Sequence, residues 1–161
     1  MIKKLALYFL PFFLFILSAC GGQIPTASNT TTASDDPCST QNLPDTVRGI
    51  SDLMNEFDDT SAQITGISIQ QLPEVISELQ RIRRDAEDLQ IPPCLATLKT
   101  HQLNHMNLMI QALLAFVGGA DQQTLSDRLE MARQEHDLYA LEIVRLLGIT
   151  LAPITATASS P

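Results

Sequence analysis

Between Asp45 and Gly148 the apolar residues return every three or four positions, and this period constrains the fold more than any other feature of the chain. Such spacing lays a stripe along one side of an α-helix; a half-buried strand would alternate with a period of two. Four segments carry it. The first follows Pro44, with Asp45 as its expected N-cap; Val47, Ile50, Met54 and Phe57 form its stripe, Ile64 lies near its end and Gly66 breaks it. The second takes Pro73 in its first turn, where a missing N–H does little harm, carries Val75, Ile76, Leu79, Ile82, Ala86 and Leu89, and is stopped at Pro92. The third takes Pro93 near its start and presents Leu95, Leu98, Met106, Met109, Ile110, Leu113 and Val117, with Gly118 expected to supply the permissive C-terminal conformation. Asp121 is placed to cap the fourth, whose stripe is Leu125, Leu129, Ala132, Tyr139, Ile143 and Leu147. Short connections favour antiparallel neighbours, so the predicted fold is all-α, an up-down antiparallel four-helix bundle over residues 38–148.

Ahead of this region the chain has a different character. Lys3 and Lys4 precede about 13 largely apolar residues, Leu5 to Leu17, and then small residues, the order of a secretory signal peptide. A spanning helix needs roughly 20 apolar residues, and this run is shorter and contains Pro11. The boundary Leu17-Ser18-Ala19-Cys20 resembles the lipobox of bacterial lipoproteins. The resemblance covers the first 20 or so residues. It implies that residues 1–19 are removed, that Cys20 carries a diacylglycerol thioether and usually a third acyl chain, and that the protein sits on the extracytoplasmic side of the bacterial cell envelope. Two or more acyl chains hold a protein firmly, so the expectation is membrane attachment without spanning. The remainder looks like the small helical lipoproteins of bacterial envelopes, a resemblance that implies no activity.

Without the signal peptide, 8 basic residues face 18 acidic ones, a net charge of −10 (the full 10 Lys+Arg less Lys3 and Lys4). Such a surface repels phosphate backbones and anionic headgroups, which argues against a nucleic-acid partner and leaves attachment to the anchor. Only Phe57, Phe116 and Tyr139 remain as aromatics and there is no Trp, so base-stacking and sugar-stacking platforms are disfavoured. Residues 20–37 are rich in Ser, Thr, Asn and Asp and read as a flexible tether, whose roughly 17 residues give an average reach of about 20–25 Å. Residues 149–161 read as a flexible tail.

Once Cys20 is assigned to lipid, an odd cysteine count of three becomes an even two, Cys38 and Cys94. An exported compartment permits disulfides, so a Cys38–Cys94 bridge is expected to pin the pre-helical segment to the bundle. A catalytic thiol is the alternative, and it leaves the other cysteine without a role.

His101 and His105 stand four apart on the third helix, one turn apart on one face, as a chelating pair requires. Met106 and Met109 lie nearby and could extend a soft copper site. Against this, the stripe's phase puts His105 at its flank and His101 farther toward solvent, and the methionines serve equally as core filler. A closed site wants about four ligands, and one helix offering two imidazoles falls short of it. The residues three before each histidine are Leu98, Gln102 and Arg133, so the Glu-x-x-His signature of di-iron bundles is missing. His136 falls near the centre of the fourth stripe, between Ala132 and Tyr139, and is expected to be a core histidine satisfied by Tyr139 or by a carboxylate on another helix.

The run from Glu78 to Leu89 spaces Arg81 with Asp85, Arg83 with Glu87 and Arg84 with Asp88, three i,i+4 pairs that describe a solvated, self-neutralising face. Neither a nucleophile elbow nor a phosphate-binding loop occurs in the sequence. The reading that follows is a membrane-anchored, non-catalytic helical lipoprotein without a cofactor, binding or scaffolding another envelope component. The alternative is a copper- or zinc-binding lipoprotein built on His101, His105, Met106 and Met109.

Overall fold

The computed structural model describes residues 36–150; residues 1–19, the lipidation site Cys20, residues 21–35 of the tether and residues 151–161 of the tail lie outside it. The described residues form one all-helical bundle, with four α-helices and no strand among them.

Helix α1 (Leu43–Ala62) buries Leu43, Val47, Ile50, Met54 and Phe57, spaced alternately four and three apart along one seam. Its N-cap is Asn42 and not Asp45, which lies inside the first turn and pairs with Arg48 at 3.0 Å. The helix starts earlier than expected because Leu43 extends the buried seam and Pro44 tolerates the first turn. Helix α2 (Leu72–Asp88) buries Leu72, Ile76, Leu79, Ile82 and Ala86. It ends at Asp88, well before Pro92: Leu89 is already extended, and Lys99 donates to the carbonyls of Glu87 and Leu89, both at 2.7 Å. That ammonium satisfies acceptors a helix terminus leaves without partners.

A 3₁₀ turn, Pro93–Leu95, leads into α3 (Ala96–Val117). Cys94 in this turn is joined to Cys38, with the Cα atoms 5.9 Å apart, so the expected bridge ties the segment ahead of α1 to the start of α3. Helix α3 buries Leu98, Gln102, His105, Met106, Ile110, Ala112 and Leu113, a wider arc than the sequence stripe. It is wide because α3 is covered from two sides, by α2 and by α4, whereas Val117 at its end is exposed. Gly118 keeps a right-handed φ of −74°; the left-handed residue is Gly119, at φ 76°.

Helix α4 (Gln122–Leu146) is capped as expected, Asp121 accepting from the Thr124 amide at 2.9 Å and from its hydroxyl at 2.7 Å. It packs chiefly on α3. One neighbour covers only a narrow strip, so Ala132, Tyr139 and Glu142 are buried while Leu129, an expected stripe residue, is exposed.

Cross-helix partners show how the elements register. His101, His105 and Gln111 of α3 meet Glu135, Ala132 and Arg128 of α4, so numbers fall on one helix as they rise on the other. Ile50 and Phe57 of α1 meet Gln102 and His105 of α3, both rising together, and Ser51 and Asp58 of α1 meet Tyr139 and His136 of α4. On α2, Arg81 pairs with Asp85 and Glu78 and reaches Glu56 on α1, and Arg83 meets Glu87 at 3.3 Å. The third expected pair, Arg84 with Asp88, does not form among the described residues. Pairs this exposed contribute little to stability.

Candidate functional site

His105 and His136 meet where α1, α3 and α4 pack together, and burial ranks the histidines differently from the sequence phase. His105, expected at the flank, is buried at 4% exposure; the side chain of His136, expected in the core, is 39% exposed. The cause is the packing of α4 on the His105 side of α3, which turns a flank into an interior. His105 Nδ1 stands 2.8 Å from the Ala132 carbonyl oxygen. A carbonyl only accepts, so Nδ1 carries the proton and donates it. His105 Nε2 is left buried without a hydrogen-bond partner and faces Asp58 Oδ1 at 3.4 Å. The other oxygen of the same carboxylate is 3.3 Å from His136 Nε2. The two imidazole rings meet edge to face at 5.1 Å between centroids, and Phe57 closes the far side of His105 at 5.7 Å.

His101 is engaged elsewhere. Its Nδ1 lies 2.7 Å from Glu135 Oε2, the length of a charge-assisted hydrogen bond. Met106 is fully buried in the core and Met109 packs against it in part. The expected quartet His101, His105, Met106 and Met109 is therefore not brought to one point: the pair on α3 separates, one ring toward Glu135 and the other toward Asp58. The carboxylate partner foreseen for His136 is Asp58. Neither Asp58 nor Glu135 carried a signal in the sequence, since both flank their stripes and only interhelical packing selects them.

Two further groups are perturbed nearby. The hydrogen bonds from Arg145 hold Glu142 below the usual carboxylate range, and burial pushes the Tyr139 hydroxyl up, countered in part by its hydrogen bond to Ser51. Two hollows lie away from the histidines: an open groove of about 560 Å³ along Thr60, Gln63, Gln71, Glu74 and Glu78, and another of about 360 Å³ along Gln111, Thr124 and Arg128. Among the described residues, no group of three or more His, Cys, Asp or Glu could hold a metal ion. No helix among the described residues is long and apolar enough to cross a membrane.

An apolar surface lies around the α1–α2 turn and the end of α3. Ile64 and Phe116 line two adjoining hollows, one completed by Ile67, Ile69 and Leu72, the other by Ala112, Leu113, Leu125 and Leu129. Leu114, Phe116, Val117, Leu129 and Ile69 are all more than two-fifths exposed. Comparison with protein-family models, curated proteins and solved structures returned no match.

Proposed function

We propose that this chain is a lipid-anchored, non-catalytic helical domain of the bacterial envelope that binds or scaffolds another envelope component. Residues 1–19 direct export, Cys20 carries the lipid, and the tether to residue 37 sets the domain off the bilayer on the extracytoplasmic side. The helices are taken to run up and down in antiparallel order, a reading supported by partner numbers that fall along α3 and α4 and rise together along α1 and α3. In that order the Cys38–Cys94 bridge and the Ile64–Phe116 surface mark opposite ends of the bundle. The observation that carries the binding reading is that apolar surface, because exposed contiguous aliphatic and aromatic groups mark contact sites on folded domains. Full burial of Met106 and engagement of His101 by Glu135 support assigning the quartet on α3 to packing.

The test uses the intact protein in cells. An alkyne fatty acid should label the wild type and not Cys20→Ser; equal label on both refutes the anchor. A photocrosslinking residue in place of Phe116 or Leu129 should capture one discrete envelope protein, while the same group in place of Arg48 should not. Equal yields at all three positions refute the contact surface.

A further inference from the structure

We propose that the outward face of α4 is a self-association surface, on which a second copy of this chain docks its own α4 in antiparallel orientation. The inference goes beyond the lipid anchor and the Ile64–Phe116 surface and uses neither. Its basis is a second seam on α4, separate from the one turned to α3. Asp127, Met131, Gln134, Leu138, Leu141 and Arg145 follow one another at alternate steps of four and three, and all six are exposed. The three aliphatic members, Met131, Leu138 and Leu141, are 52%, 43% and 53% exposed.

Alternate steps of four and three keep a row of side chains facing one neighbouring helix along its length, and the same spacing buries α1 from Leu43 to Phe57. On α4 the buried residues Ala132, Tyr139 and Glu142 lie roughly 100° round the helix from this second seam. Because α4 packs chiefly on α3, the second seam is left for a partner outside the chain. Beside Met131 the apolar strip continues onto α3 through Leu108, across the hollow of about 360 Å³ that the two residues line together. Contiguous exposed apolar groups with a charge at either end have the make-up of a contact strip.

The order of residue types along the seam says what covers it. Laid antiparallel on itself, the seam sets Asp127 of each copy against Arg145 of the other, Met131 against Leu141 and Gln134 against Leu138. Every contact then occurs twice, as a two-fold axis level with residue 136 requires. A parallel pairing would instead oppose Asp127 to Asp127 and Arg145 to Arg145, and it would align the helix dipoles unfavourably. The charged ends are equipped for the exchange. Arg145 donates through Nε and one terminal nitrogen to Glu142, both at 2.6 Å, and keeps its other terminal nitrogen on a side chain 65% exposed. Asp127 accepts from Gln123 through Oδ1 at 2.7 Å, which leaves Oδ2 for the second copy. From Asp127 to Arg145 the seam runs about 27 Å, the small end of what a stable dimer needs, so the two copies associate and separate with concentration.

The full chain is co-expressed in two differently tagged forms, Met131→Cys and Leu141→Cys, and oxidised mildly in cells. A mixed disulfide between the two forms is expected, and neither form alone should link, because like positions stand about 15 Å apart along the antiparallel pair. Sedimentation of the full chain in detergent supplies the second measurement. Leu141→Asp should weaken the dimer by about tenfold or more, while Leu129→Asp, on the opposite flank of the same helix, should leave it unchanged. Asp127→Arg alone and Arg145→Asp alone should each weaken it by about tenfold, and an equal mixture of the two should dimerise again, since the mixed pair restores both opposite-charge contacts. Circular dichroism establishes that each variant is folded. Efficient linkage of Met131→Cys to itself overturns the proposal in favour of a parallel pair. Loss of the dimer in Leu129→Asp with none in Leu141→Asp overturns it in favour of the Ile64–Phe116 surface. Linkage of both cysteines only to a different protein, or a wild type that stays monomeric while the cysteine forms give no mixed product, overturns it outright.

Discussion

Gln102 donates its side-chain amide to the Ile50 carbonyl at 2.8 Å, while its own Oε1 has no partner although the residue is fully buried. An unsatisfied buried acceptor costs about 1–3 kcal/mol, which is the order of what one hydrogen bond returns. Ile50 lies within α1, so its carbonyl is also placed to accept from the helix itself. Gln102→Leu, close in volume, should therefore raise the unfolding free energy by about 1 kcal/mol, read as a higher urea midpoint with an unchanged slope. A midpoint lowered by a similar amount would show that the amide does more than fill space. Sequence phase places position 102 near the centre of α3's seam, but its polar side chain kept it off the predicted stripe. Here burial followed position and not residue type, whereas His105, at the flank by phase, was buried by the packing of α4.

At the scale of the element, glycines divide by backbone conformation. Gly119 ends α3 at φ 76°, where an added Cβ meets no atom within 4 Å yet the conformation itself is unfavourable for any L side chain. Gly119→Ala should cost about 1–2 kcal/mol. Gly49, inside α1 with equally open space and helical geometry, has the opposite sign: Gly49→Ala should stabilise by about 0.5–1 kcal/mol. Thermal melts of the two variants should move in opposite directions, and a common direction would contradict the argument. The sequence pointed to the Gly118-Gly119 pair as the end of α3 but chose the wrong member, because consecutive glycines are equivalent until the chain's exit path is known. Helix α2 shows the same limit. Ile91 before Pro92 is biased toward extended backbone, but at the earlier stop it is Lys99, beyond the turn, that donates to the carbonyls of Glu87 and Leu89.

For the whole molecule, the Cys38–Cys94 bridge closes a loop across a sequence separation of 56 and holds the segment before α1 against the start of α3. The double variant Cys38→Ser, Cys94→Ser should lose about 2–4 kcal/mol of stability, mainly because its unfolded chain is less restricted. Limited proteolysis should then cut first between Asp36 and Asn42, while α2 and α3 stay protected. Simultaneous loss of all helices to the protease would show that the bridge holds the entire bundle together.

What the amino-acid sequence determined by itself was local and periodic. The helical class, the seams of α1 and α2, the Asp121 cap and the cysteine parity follow from spacing and residue chemistry that act within a few turns or by simple count. Tertiary structure alone decided which side of each stripe met a neighbour. Because α4 packs chiefly on α3, it broadened the buried arc of α3 and left its own stripe half open. That placement buried His105, brought His136 and Asp58 to it from other helices, and sent His101 to Glu135. Periodicity specifies the direction of a side chain relative to its own helix axis, whereas burial and partnership depend on the rotation of each helix against the next, which is set by packing across the whole core.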